Sequence, residues 1–211
     1  MAWFIDTDSS NFSFVKFRME PTCRELSPSV EYYQAHNLMH LYGRIWWSAI
    51  DIEDRFWPRK ARLTTDRKLL PHWVGFCSFY GISEDFRRCV EYLEPGVHEF
   101  REVEVLRKDG SAFDKRYYAM NVRTMVCDAI DWERTTAPSR EAHGIRIVRN
   151  PNTIMSAHTV AMRRRAIDGY HLWIPQEASP GACYCVSDAL HELLVEHKLL
   201  RGIHSFQVSE V

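Results

Sequence analysis

The feature that most narrows the fold is a joint written twice, GVHEF at 96–100 and GIHSF at 202–206. Each copy stands behind a stretch of helical period and in front of a β-prone run. Before the first, Ser83 suits an N-cap, and Glu84 and Asp85 suit the positive start of a helix. Phe86, Cys89, Val90 and Leu93 then recur at i, i+3, i+4 and i+7, one apolar stripe. Pro95 disfavours helical geometry at Glu94, and Gly96 lets the chain turn. Before the second, Ser187 and Asp188 open a helix with Leu190, Leu193, Leu194 and His197 on one side, and Gly202 stands where a left-handed C-cap is expected. The joint reads as architecture rather than catalysis: glycine ends the helix, the β-branched residue starts a strand, and Phe100 or Phe206 anchors that strand onto the helix just completed. His98 and His204 are expected on the same strand face as those phenylalanines.

The rest of the chain arranges itself around these joints. VHEFREVEVL predicts a strand, Asp109-Gly110 a tight turn, and KRYYAMNV the return strand of a hairpin. RTMVCDAIDWERT leads out of this unit. In the second unit, residues 151–167 predict a helix, YHLW and ACYCV predict strands joined by PQEASPG, and IHSFQVSEV predicts a final strand. Towards the N-terminus, FIDTDSSNFSFVKF reads as extended, EPTCRELSPS as loop, and SVEYYQAHNLMHLYG as a helix with Gly43 near its end. The expected fold is α+β: two helix-to-strand units with antiparallel hairpins in one compact, two-lobed body. The expected division is a segment of uncertain organisation at 1–82, a first unit at 83–135 and a second at 136–211.

With 45% of its 211 residues hydrophobic, the chain can bury a real core. A formal net charge of −1 argues against bulk nucleic-acid binding and against steering to an anionic membrane. The start lacks a signal-peptide pattern, and no apolar run approaches the roughly 20 residues needed to span a bilayer, so a soluble cytoplasmic protein is expected. In that compartment Cys23, Cys77, Cys89, Cys127, Cys183 and Cys185 are expected as free thiols, mostly small buried hydrophobes. None forms a C-x-x-C pair, and no zinc spacing occurs.

Constellations with chemistry are few. His36 and His40 stand at i, i+4, but Asn37 replaces the glutamate of a zincin and no third ligand is identifiable. The chain has no G-x-S-x-G elbow, no phosphate loop and no dinucleotide fingerprint. No cofactor or metal is expected. Asp51, Glu53 and Asp54 form an acidic run beside Trp46, Trp47 and Trp57. Tryptophan and charge together suit a protein interface, and Trp46, Trp47, Asp51, Glu53 and Asp54 are the candidate anchors. Arg140, Arg146, Arg149 and Arg163-Arg164-Arg165 make one segment locally basic, as a stripe for nucleic acid would be. A cysteine–histidine pair meeting in space would give a thiol-dependent enzyme.

The C-terminal unit resembles a family. GYHLW, a turn, then CYCVSDALHELLVEHKLLRGIHSFQV is similar to the end of the bacterial polymorphic-toxin immunity family eleven, through His171, Leu172, Trp173, Val186, Ser187, Asp188, Leu190, Gly202, Ile203 and Phe206. EPGVHEFREVEVLRKDGSAF, the Tyr-rich return strand and DAID at 128–131 extend the resemblance over about 83–211. Ile174 stands where that family commonly has arginine. The resemblance implies a small cytoplasmic immunity protein that binds and blocks a cognate toxin, such as an effector of a type VI or other contact-dependent secretion machine. The alternatives are the thiol-dependent enzyme and a nucleic-acid-binding regulator acting through Arg163–Arg165.

Overall fold

The computed structural model describes residues 1–7, 15–37, 49–77, 79–142, 144–148, 160–177 and 184–211. Its helices are α1 (Val30–Ala35), α2 (Glu84–Leu93), the single turn α3 (Arg164–Ile167) and α4 (Asp188–Glu196). Three of them start where a serine hydroxyl can hold a free N–H: Ser29 accepts from Tyr32, Ser83 from Phe86 and Ser187 from Leu190. Phe86, Cys89 and Val90 are buried, as the spacing predicts. The helix expected from Ser29 towards Gly43 ends at Ala35, with Asn37 in the left-handed region. Residues 151–159 of the expected 151–167 helix lie outside the described residues, and 161–162 are strand rather than helix.

The strands are β1 (Ala2–Thr7), β2 (Phe17–Glu20), β3 (Lys60–Leu63), β4 (Trp73–Phe76), β5 (Phe79–Ser83), β6 (Glu99–Leu106), β7 (Tyr117–Asn121), β8 (Met125–Val126), β9 (Ser139–Ala142), β10 (Ile145–Val148), β11 (Ala161–Met162), β12 (Leu172–Pro175), β13 (Tyr184–Ser187) and β14 (Ile203–Glu210). The first sheet runs β2-β3-β6-β7-β5-β4 and the second β11-β14-β1-β13-β12-β8, with β9 and β10 a separate hairpin. The class is α+β, as expected.

The two sheets repeat one plan. In the first, β4, β5, β7 and β6 pair antiparallel in turn and β3 joins β6 in parallel. In the second, β12, β13, β1 and β14 pair antiparallel in turn and β11 joins β14 in parallel. The connection differs: the central strand β7 follows β6 in sequence, whereas its counterpart β1 comes from the other end of the chain. The units are thus circular permutations of each other. Detail repeats as well. The His72 ring nitrogen lies 2.7 Å from the Ser83 hydroxyl, and that of His171 lies 2.8 Å from Ser187. The Glu84 N–H donates to Arg116 and the Asp188 N–H to Met1, the residues just before β7 and β1. Arg87 lies over the ring of Tyr118, and His191 stacks 3.9 Å from Trp3.

Alternation along the central strands sorts three apolar clusters. Tyr117 and Ala119 of β7 face a cluster with Leu26, Tyr33, Ile52, Phe56 and Trp57. Tyr118 and Met120 face the opposite way, into a cluster shared by both units, where Phe86 and Val90 of α2 meet Leu190 and Leu194 of α4. Ala2 and Phe4 of β1 face the third cluster, beyond the second sheet.

The repeated joints are not identical. Gly96 and Gly202 both take positive φ, +70° and +80°. Phe100 pairs with Met120 and belongs to the shared cluster, beneath its helix. Phe206 pairs with Phe4 and packs in the third cluster, on the face away from α4. The longer second joint shifts the register by one residue relative to the helix cap, and one residue turns a strand side chain to the other face. His98 precedes β6 and is buried, whereas His204 is exposed and stacks on Phe206. Helix α4 also stops earlier than Gly202 suggests. Lys198 takes the left-handed position at φ +58°, and the N–H groups of Lys198 and Leu199 return to Val195 and Leu194 in a Schellman arrangement.

The cysteines need one correction. Cys23 and Cys77 are not free thiols but a disulfide, with Cα atoms 5.5 Å apart. They stand 54 residues apart, and only the curl of the first sheet brings them together. Cys89, Cys127 and Cys185 are free, and Cys183 lies outside the described residues.

Candidate functional site

The acidic run sits in a segment that crosses the outer face of the first sheet. Ile52, Phe56 and Trp57 point inward, and the Trp57 indole donates to the Ile52 carbonyl at 3.1 Å. With those three side chains buried, Asp51, Glu53 and Asp54 are left outside. The Asp51 side chain is 96% exposed and that of Asp54 84%. Each pairs with an arginine: Asp51 with Arg123, between β7 and β8, at 2.7 Å, Asp54 with Arg101 of β6 at 3.1 Å, and Glu53 with Arg55 at 2.9 Å. Such exposed pairs contribute about 0–1 kcal/mol each, so they orient the segment more than they stabilise it. A firmer attachment is the bond from the Asn121 side chain to the Ile50 carbonyl, 2.9 Å. Beside Asp51 lies a cleft of about 580 Å³ lined by Arg87, Glu91, His98, Phe100 and Arg123. The structure therefore brings the three acids to one exposed strip. Trp46 and Trp47 lie outside the described residues.

Under this strip runs a buried hydrogen-bond network around one carboxylate that no reading of the sequence anticipated. Glu94, 6% exposed, accepts from His98 Nε2 at 2.8 Å and from the His171 and Leu172 N–H groups at 2.8 and 2.9 Å. The Arg123 N–H donates to His98 Nδ1 at 3.2 Å. That bond leaves the proton on Nε2, so a neutral imidazole donates to a carboxylate. Burial pushes the Glu94 carboxyl up, but the bonds from His98 and the two N–H groups outweigh it and hold the group below its ordinary range. The available signal was the i, i+4 spacing of Glu94 and His98 across Pro95-Gly96.

Comparison with known families decides what kind of protein carries this surface: the model of the immunity protein family Imm11 matches residues 13–209. The chain belongs to the Imm11 immunity protein family. No curated protein matches the sequence.

Two further regions of this Imm11 protein bear on the alternative chemistries. A groove of about 380 Å³ between α2 and α4 is lined by His72, Asp85, Cys89, Tyr92, Leu193 and His197. It puts a cysteine near histidines, as a thiol enzyme would need. However, burial, with Asp85 and Glu196 adding to it, pushes the Cys89 thiol up, away from the thiolate. Burial likewise pushes His72 down, as does Lys115, while Asp85 opposes them. The Ser83 and Ser187 hydroxyls beside His72 and His171 are occupied as helix caps. In the basic run, Arg163 pairs with Asp128 and Arg164 with Glu210. Arg146 lies over the Trp132 ring, and Arg149 lies outside the described residues. His36 stacks on Tyr32, and His40 lies outside the described residues. Among the described residues no group of three or more His, Cys, Asp or Glu side chains is arranged to hold a metal ion, and no helix is long and apolar enough to cross a membrane.

Proposed function

We propose that this chain protects its cell by binding one cognate bacterial toxin directly in the cytoplasm and covering the toxin's working surface. The toxin is an effector of a type VI or similar contact-dependent secretion machine, and the chain performs no chemistry of its own. The observation that carries this reading is the immunity-family match over residues 13–209. The contact is placed on the strip of Asp51, Glu53 and Asp54, with Trp46 and Trp47 supplying its aromatic part. The exposure of Asp51 and Asp54 and their shallow ion pairs support that placement, because the cost of exchanging Arg101 or Arg123 for a partner's cation is small. A complex of ordinary size buries about 800 Å² per partner.

The test has two steps. Tagged protein is purified from its own cells and the stoichiometric partner identified. The partner must be toxic when expressed alone and harmless with this chain. Binding is then compared with the triple variant Asp51→Arg, Glu53→Arg, Asp54→Arg, for which a Kd weaker by about 100-fold is expected. No toxic partner refutes the function, whereas a toxic partner that binds the variant equally refutes only the placement.

A further inference from the structure

We infer that the Cys23–Cys77 disulfide is a redox-sensitive clasp across the seam of the first sheet, closed when oxidised and opened by a dithiol reductant. Strands β2 and β4 are the two edges of that sheet, with β3, β6, β7 and β5 between them. The sheet nevertheless curls until its edges meet. The Phe17 ring of β2 lies 5.1 Å from the Phe76 ring of β4. Just past these strands, Cys23 and Cys77 are bonded. Among the described residues β2 and β4 share no hydrogen-bonded ladder, so the sulfur bridge is the covalent closure of an otherwise open seam.

Three observations make this a clasp and not a buried staple. Both cysteines are exposed, so a reductant can reach the bond. Cys77 sits in the β4–β5 turn at φ +58°, a position that favours glycine or asparagine, so its presence there is explained by its sulfur and not by its backbone. Finally, between β2 and β3 the chain leaves the sheet, and its described part has only α1 and a turn at Asp54–Phe56 as regular structure. Among its described residues the excursion joins no backbone ladder and is held instead by Leu26, Tyr33, Ile52, Phe56 and Trp57 in the core, so its backbone amides are the ones a released bridge exposes to exchange.

The exchange balances without any other group. A reductant thiolate attacks one sulfur, the S–S bond breaks, and the displaced cysteine leaves as thiolate and takes a proton from water. The second thiol of the reductant attacks the mixed disulfide and releases the other cysteine. Two electrons and two protons pass to the protein, and the dithiol becomes a disulfide. Cys89 and Cys185 do not divert the exchange, because both are buried and burial pushes both thiols up, whereas Cys127 is free and exposed, so Cys127→Ser is the background for the test.

The test is hydrogen–deuterium exchange on the full chain, oxidised, after dithiothreitol, and after reoxidation with oxidised glutathione. Exchange should rise about tenfold or more within 17–37, 49–57 and the β4–β5 turn. It should fall again on reoxidation, while 184–210 stays unchanged. Alkylation mapped by mass spectrometry should follow the same cycle at Cys23 and Cys77. The double variant Cys23→Ser, Cys77→Ser should sit in the fast-exchanging state and ignore dithiothreitol. Unchanged exchange in those segments after complete reduction overturns the clasp. So does a bond that dithiothreitol reduces only in denaturant, and so does a uniform rise across the whole chain. No toxin takes part, so failure here leaves the proposed function standing.

Discussion

Replacing Glu94 tests whether the two units are locked together by the buried network. The carboxylate belongs to the end of α2, but two of its three donors, the N–H groups of His171 and Leu172, belong to the start of β12 in the other unit. Glu94→Ala leaves three buried donors without an acceptor. Hydrogen bonds to a charged group contribute about 1.5–3 kcal/mol each, so intact loss of all three would cost about 4.5–9 kcal/mol. Water entering the shortened site recovers part of this, and a net loss of about 4 kcal/mol is expected. For a chain of this size that lowers Tm by roughly 8–16 °C. Glu94→Gln keeps the shape and one acceptor; with its oxygen in the place of Oε2, which takes both His98 and Leu172, its amide points at the His171 N–H. That N–H is a backbone donor and cannot turn away. A cost of about 2 kcal/mol follows, one charged bond in kind. Urea and thermal unfolding, followed by tryptophan fluorescence and circular dichroism, measure both variants. Because the donors span the two units, Glu94→Ala should also reduce the coincidence of the two transitions. A Glu94→Ala protein within 1 kcal/mol of the parent would refute the argument, since it would mean that the donors find other partners at no cost. Acid gives an independent reading. The folded carboxyl is held below the ordinary glutamate range, so its contribution is fully present above the unfolded pKa and is lost as pH falls through the folded one.

Other outcomes follow from single sites. Lys198→Gly should stabilise by about 0.5–1 kcal/mol, because Lys198 holds a left-handed C′ position that glycine takes without steric cost; a chemical melt that shows no gain counts against the Schellman assignment. Gly81→Ala should destabilise by about 1–3 kcal/mol, because its Cβ would lie 2.2 Å from the buried Phe76 ring, and a neutral melt would mean that the ring can move. His72 and His191 are both held below 6.5, first of all by burial, so stability should decline as pH falls below the unfolded value and through the folded ones. The double variant His72→Gln, His191→Gln should flatten that slope between about pH 7 and 5; an unchanged slope assigns it to other groups.

What could be read from the sequence was local. Ser83 and Ser187 announced their helices because a cap acts within three residues. Asp109 and Gly110 announced their turn for the same reason, and Asp109 does hold the Ser111 N–H at 2.9 Å. Elements fixed by distant partners stayed hidden. Strand β1 sits between β13 and β14, from the other end of the chain, and no periodicity shows that. The Cys23–Cys77 pairing depends on the curl of a sheet whose edges are set by six strands. At the second joint the glycine signal misled, because burial of Leu199 beside Leu194 stops α4 at His197 and leaves Lys198 in the position expected for Gly202. The acidic strip was legible as composition, but its exposure follows from the inward turn of Ile52, Phe56 and Trp57.

The duplication separates scaffold from specificity. Whatever the two units share is either capped, paired or buried between them: the His–Ser contacts at the helix starts, the acids Glu84 and Asp188, and the apolar faces of α2 and α4. Arg87 and Arg88 hold the Glu84 carboxyl down at about 2, so even that charge is spent internally, as is Asp188 on the Trp3 indole at 2.7 Å. A surface that must tell one toxin from another cannot be built from parts used twice for the same structural end. It has to come from what only one unit has. Each unit has an excursion beside its parallel strand, since β2 pairs antiparallel with β3 and Ile130 bridges antiparallel to Met162 of β11, but the sequence of the one between β2 and β3 belongs to the first unit alone. That excursion carries Asp51, Glu53 and Asp54, and one end of it is held by Cys23. The two excursions thus share a place in the fold but not a sequence, which supports the same strip that composition nominated.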